Sequence, residues 1–147
     1  MAYRGIVPSA FLDELSVDQR ENGWRRRLER GDTAIFLGEE NEQPLGWVSL
    51  GPSRDADAGN GTGELYALYV APEQWRRGIG HHLVCESVRH LSGSGFSDVT
   101  LWVLSDNSRA RAFYRSHGFA LDAGIEKSVE IGGAELLEIR LRKHIRS

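Results

Sequence analysis

The chain has 147 residues, 40% of them hydrophobic and 27% charged, which suits one globular domain, 1–147, and excludes a disordered, collagen-like or low-complexity chain. Its net charge of −3 argues against a nucleic-acid backbone as partner, and a single cysteine, Cys85, excludes an internal disulfide and fits a reducing, cytoplasmic compartment. No apolar run approaches the ~20 residues of a membrane span, and no signal-peptide pattern opens the chain.

Taken in order, Ser9 to Val17 places Phe11, Leu12 and Leu15 at helical spacing behind Ser9 as N-cap. A second helix is expected over Asp18 to Glu29, with Trp24 and Leu28 inward, Arg25-Arg26-Arg27 as a solvated face and Gly31 as the stop. Thr33–Leu37 and Gly46–Leu50 read as strands joined by a polar stretch. The segment from Gly51 to Gly63 is dense in turn formers and poor in packing residues, and reads as a loose hairpin connection. Glu64–Val70 is a strand ending at Ala71-Pro72. From Gly78 a helix follows, with Ile79, Leu83, Val84, Val88 and Leu91 on one side, ended by Gly93 and Gly95. Asp98–Leu104 is apolar on both faces and reads as a buried strand. Ser108–Ser116 is a short helix closed by Gly118. Strands near Phe119–Glu130 and Ala134–Arg142 meet at the hairpin signal Ile131-Gly132-Gly133. The order ααββ-β-α-β-α-ββ implies an α/β (α+β) fold, a mixed sheet of about six strands with helices on both faces.

The chemistry concentrates in two segments. In Trp75-Arg76-Arg77-Gly78-Ile79-Gly80-His81-His82, between a strand and a helix, two glycines let successive N–H groups converge on an anion. The helix's positive end adds to that field, the outline of a pyrophosphate site. It is neither a Walker loop, since no Gly-Lys-Ser/Thr follows, nor a dinucleotide fingerprint, since Leu83 stands where a third glycine belongs. The second segment is Asn107-Ser108-Arg109-Ala110-Arg111-Ala112-Phe113-Tyr114, closing with His117-Gly118-Phe119. Phe113 and Phe119 read as core, whereas Tyr114 has a hydroxyl to place. No pair among His81, His82, His90, His117, His144 and Cys85 shows a zinc-motif spacing, so no metal is expected, and Cys85 reads as a core residue.

Together, Leu68-Tyr69-Val70, Arg76-Arg77-Gly78-Ile79-Gly80, Asn107, Ala110, Phe113-Tyr114 and Gly118-Phe119 resemble the GNAT superfamily of acyl-CoA-dependent N-acetyltransferases. The likeness is strongest from Glu64 to Phe119, and Trp75 departs from the usual Gln/Arg. The resemblance implies that an acetyl group passes directly from acetyl-CoA to a primary amine of a small molecule or peptide in a ternary complex. It places backbone groups of Leu68, Tyr69 and Val70 along the pantetheine arm, with the Val70 amide polarising the thioester carbonyl. It assigns the pyrophosphate to amides of Arg76, Arg77, Gly78, Ile79, Gly80, His81 and His82, and a pantetheine contact to Asn107. Tyr114 is then the acid that protonates the departing thiolate, and its phenol suits that role. Glu64 lies 11 residues before Trp75, the offset of a general-base glutamate in one branch of the family, and it would act directly or through water.

The alternative is a CoA-binding domain without catalysis, a sensor or structural subunit; Tyr114 with Asn107 favours the enzyme. Among the first 60 residues 11 are acidic and 7 basic, which favours a cationic acceptor. Family chains begin with an apolar strand ahead of a segment like Ala2–Pro8, where this sequence starts. The resemblance thus implies a sheet without that strand. The Thr33–Leu37 strand or its neighbour would then be a bare edge, and the expectation is a homodimer or an edge covered by Met1–Val7.

Overall fold

The computed structural model describes residues 16–17, 25–30, 33–40, 43–71 and 78–145. Among these residues eight strands form one mixed sheet: β1 (Ser16–Val17), β2 (Arg25–Arg30), β3 (Thr33–Glu40), β4 (Gln43–Pro52), β5 (Thr62–Val70), β6 (Asp98–Leu104), β7 (Ala120–Ile131) and β8 (Ala134–His144). Among the described residues two helices interrupt them, α1 (Ile79–Gly93) between β5 and β6 and α2 (Ser108–Ser116) between β6 and β7. The spatial order is β1-β2-β3-β4-β5-β6-β8-β7. Every neighbouring pair is antiparallel except β5 with β6, whose crossover is α1.

Two sequence expectations fail at the N-terminal end. Residues 25–29, placed on a helix above, belong to a strand whose Arg25–Arg30 pair in antiparallel register with Gly38–Thr33. Ser16–Val17, expected at a helix end, pair with Arg27–Arg26. Arginine is a good helix former, but intrinsic propensity is weak beside the need to pair an exposed strand edge. The remainder of both expected helices lies outside the described residues. The sheet accordingly has eight strands where about six were expected, and β2 covers the β3 edge. The Thr33–Leu37 strand is therefore not a bare edge, and Met1–Val7, the alternative cover, lies outside the described residues.

Burial follows strand alternation. On one face Ala34, Phe36, Val48, Leu50, Leu65, Val99, Leu101, Val103, Ile139 and Leu141 build the main core beneath Ile79, Leu83, Val84 and Leu91 of α1. Phe113 and Tyr114 of α2 pack against the same cluster. On the other face Ile35, Leu37 and Trp47 form a second buried group with Ala67 and Tyr69. This is why Thr33–Leu37 is apolar at consecutive positions: both of its faces are covered.

Candidate active site

The site begins with a fault in the sheet. β5 pairs with β4 as far as Val70, but Ser49 faces Ala67 and Leu50 faces Leu65, so Tyr66 is an extra residue, a β-bulge. The bulge reverses the alternation: Leu65 joins the main core, Ala67 and Tyr69 turn to the opposite face, and Leu68 and Val70 return to the main core. Pairing of β5 with β6 stops at the same place. It runs from Thr62↔Asp98 to Leu65↔Leu101 and no further, although β6 stays paired with β8 to Leu104↔Glu138. Beyond Leu65 the two strands part, with Leu68, Tyr69 and Val70 on one wall and Trp102 to Leu104 on the other.

α1 starts at the mouth of that cleft. Its N-cap, Gly78, has φ +84° and ψ 7°, a left-handed conformation that glycine adopts without strain, and offers no side-chain cap. No acidic residue occupies its first turn, so no carboxylate of that turn offsets the helix's positive end. Gly80 has a packing role as well. A Cβ there would lie 3.1 Å from Phe113 Cζ and 3.6 Å from Val70 Cγ2, so β5, α1 and α2 converge at this residue. His81 and His82 are exposed on the same turn. Arg76 and Arg77 lie outside the described residues.

α2 supplies the opposite side. Asn107 caps it, its side-chain oxygen accepting from the Ala110 N–H at 3.1 Å, and Arg111 donates to the Ser105 carbonyl at 2.9 Å. Tyr114 is half-buried, its ring edge-on to Phe113 (5.3 Å between centroids) and to Phe119 (5.9 Å). These contacts fix the ring through packing, as the sequence suggested for Phe113 and Phe119.

Glu64 lies on the other side of the sheet from α1, since its neighbours Gly63 and Leu65 face the helix and the core. It is buried, with 7% of its surface exposed. One carboxylate oxygen accepts from the Arg54 backbone N–H at 2.9 Å and from the Ser53 hydroxyl at 3.4 Å. Burial pushes its pKa above the ordinary glutamate value, helped by the nearby Asp55 charge and opposed by those two hydrogen bonds and Arg54. Beside it the Tyr66 hydroxyl donates to the Pro52 carbonyl at 2.6 Å, and the Arg54 guanidinium stacks on the Tyr66 ring at 3.7 Å.

The connection between β4 and β5, read from sequence as loose, is pinned. Arg140 of β8, only 4% exposed, donates from Nε to Asp122 at 2.9 Å, from Nη1 to Asp55 and Asp57 at 3.1 and 2.8 Å, and from Nη2 to Asp57 at 2.9 Å. The Trp102 indole N–H adds a bond to Asp55 at 3.1 Å. Hydrogen bonding to Arg140 holds the Asp57 carboxyl below its usual range, and the Arg140 guanidinium, bonded to three carboxylates, is held more firmly protonated than usual. Sequence reasoning missed this clamp because Asp55 and Asp57 lie more than 80 residues from Arg140. It also missed that His81, Cys85 and His117 come together, although positions 81 and 85 share one helix face.

Comparison with known proteins bears on the family and the fold. The family model described as "Acetyltransferase (GNAT) family" matches residues 3–119. A Bacillus subtilis protein named as an uncharacterized N-acetyltransferase, YuaI, is 31% identical over 140 residues, 95% of this chain and 77% of that protein. The mycothiol acetyltransferase of Kocuria rhizophila is 42% identical over 93 residues, 61% of this chain but only 30% of that protein. Among solved structures, Salmonella typhimurium yncA, with its cofactor acetyl-CoA, superposes with a TM-score of 0.67 at 22% identity, covering 77% of this chain and 65% of that one.

Proposed function

The chain belongs to the GNAT acetyltransferase family and is an acyl-CoA-dependent acetyltransferase; from that premise we propose that it transfers the acetyl group of acetyl-CoA directly to a primary amine of a small molecule or peptide. The observation that carries this reading is the parting of β5 from β6 after Leu65↔Leu101, beside a helix N-terminus with no acidic residue in its first turn. A pantetheine arm fits such a gap by taking the place of the missing strand partner. The pyrophosphate then meets amides of the turn from Arg76 to His82.

In the reaction the amine nitrogen attacks the thioester carbonyl carbon, and negative charge gathers on the carbonyl oxygen, where the Val70 N–H stabilises it. Collapse breaks the C–S bond, and the Tyr114 hydroxyl gives its proton to the departing thiolate. The proton that leaves the amine passes to Glu64 through water. A carboxylate whose pKa is raised by burial is the better base for this task, because its proton affinity lies closer to neutral pH. The Asn107 side-chain oxygen is engaged as a helix cap, so its NH2 is the group that would donate to the pantetheine.

Similarity to mycothiol acetyltransferases over part of the chain favours a small-molecule acceptor over a protein one. Purified protein with acetyl-CoA and a panel of amino sugars, polyamines and N-terminal peptides tests the reading through release of thiol. Release that depends on an amine supports it. Tight acetyl-CoA binding with no amine-dependent thiol would show a CoA-binding domain without catalysis.

A further inference from the structure

We propose that His81, Cys85 and His117 form a binding site for a thiophilic divalent cation, zinc in the first instance, that ties the first turns of α1 to the end of α2. The ligand atoms of the three residues all lie within 4.8 Å of one another. Cys85 Sγ is 3.7 Å from His81 Nε2, and the His81 and His117 rings lie tilted at 36° with centroids 5.0 Å apart. Zinc–sulfur and zinc–nitrogen bonds of about 2.3 and 2.0–2.1 Å at a tetrahedral angle put sulfur and nitrogen about 3.5 Å apart, close to the observed span. His81 is exposed and can turn to close the set, while His117 is fixed against Phe113 with centroids 4.6 Å apart.

The donor set selects the ion. One thiolate and two imidazoles suit zinc or cobalt(II) and give magnesium or calcium no oxygen ligands. Three protein ligands leave the fourth position to water. Lys143, whose amine donates to the His117 carbonyl at 2.7 Å, sets a positive charge near the site and weakens cation binding. Bound to the ion as a thiolate, the Cys85 sulfur offsets that charge. On binding, the thiol proton leaves to solvent and the sulfur pair forms the metal bond, so one proton is released per ion and affinity rises with pH. The inference does not depend on the acetyl-transfer reading, because it rests only on these side chains.

The test is titration of the metal-free full chain with Co2+, followed by displacement with Zn2+. The expected result is one equivalent of tetrahedral cobalt with a thiolate-to-cobalt charge-transfer band, bleached by zinc. Cys85→Ser should abolish that band, and His117→Gln should lower zinc affinity about tenfold or more. His144→Gln, outside the cluster, should change neither. A cobalt spectrum without a thiolate band, or equal zinc affinity in the wild type and Cys85→Ser, overturns the proposal. Should either variant fail to fold, alkylation of Cys85 by iodoacetamide in the wild-type chain decides: protection by zinc supports the site, and undiminished alkylation refutes it.

Discussion

Arg140 on β8 grips Asp57 with two parallel hydrogen bonds, Nη1 to Oδ1 at 2.8 Å and Nη2 to Oδ2 at 2.9 Å, across 83 positions of sequence. The same guanidinium reaches Asp55, whose own N–H donates to the Ser53 hydroxyl at 3.1 Å. Ser53 and Arg54 in turn bond the Glu64 carboxylate. A buried arginine at one end of the sheet thereby fixes the surroundings of the candidate base at the other end of this chain of contacts. Its position makes Arg140 a positioning residue.

Arg140→Met should therefore cost both stability and the shape of the pH profile. Removing one partner of a buried, multiply bonded ion pair is strongly destabilising. Because Asp57 is itself well exposed, a loss of about 2–3 kcal/mol is expected, a drop in Tm of roughly 5–10 °C. With the connection released, water reaches Glu64 and its pKa relaxes toward the ordinary value, moving the acidic limb of kcat/KM to lower pH. Arg140→Lys, which keeps charge but loses the planar fork, should recover only part of the Tm. An unmoved acidic limb in a folded Arg140→Met protein would separate the clamp from the base.

Glu64 gives a signed prediction of its own. Its folded pKa is raised, chiefly by burial, so the folded chain holds this proton to higher pH than the unfolded chain. Stability contributed by the protonated form is complete below the unfolded value and lost as pH rises through the folded one. Glu64→Gln removes that dependence, so the variant's Tm should fall less than the wild type's over this interval. In the proposed reaction Glu64 must be deprotonated to act as base, so wild-type kcat/KM should rise with pH through the raised value, and the variant should lose that limb. Thermal melts and rate profiles at matched pH check both halves.

How legible these features were depends on how local they are. Asp98–Leu104 and Ser108–Ser116 have the bounds that the sequence implied, because an apolar strand run and an Asn107 cap are written within a few adjacent residues. Arg25–Arg30 misled because its arginines favour a helix in isolation, while the structure spends the segment on the β3 edge. The Gly31-Asp32 pair that separates it from Thr33 reads equally as a hairpin signal. Tyr66 as a bulge could not be read from its strand-forming neighbours, since a bulge exists only relative to the partner strand. Arg140 is likewise meaningful only once β8 lies beside β6 and the Ser53–Gly61 connection folds over them.

Gly80 separates charge from packing at the proposed cofactor turn. Gly80→Ala adds a Cβ 3.1 Å from Phe113 Cζ, so it measures the steric cost of crowding the junction alone. Gly80→Glu adds a carboxylate beside the pyrophosphate position, and like-charge juxtaposition costs several kcal/mol. Acetyl-CoA should bind to the glutamate variant about 100-fold or more weaker than to the alanine one, by calorimetry at matched ionic strength. Equal affinities in the two variants, both folded by circular dichroism, would remove the pyrophosphate from this turn.

Tyr114→Phe isolates the proposed acid. The ring contacts with Phe113 and Phe119 place Tyr114 by packing, and phenylalanine preserves those contacts. Only the hydroxyl is lost, so the fold and acetyl-CoA affinity should stay near wild type. General acid catalysis contributes typically 10²–10⁴-fold, and kcat should fall by about that much. The deficit should also depend on the leaving group. A thioester whose thiol is more acidic needs less protonation, so an activated aryl thioester of the same acyl group should narrow the gap between variant and wild type. A uniform deficit across leaving groups would mean that Tyr114 orients the acyl donor without donating a proton, and wild-type turnover would mean that the thiolate departs unassisted.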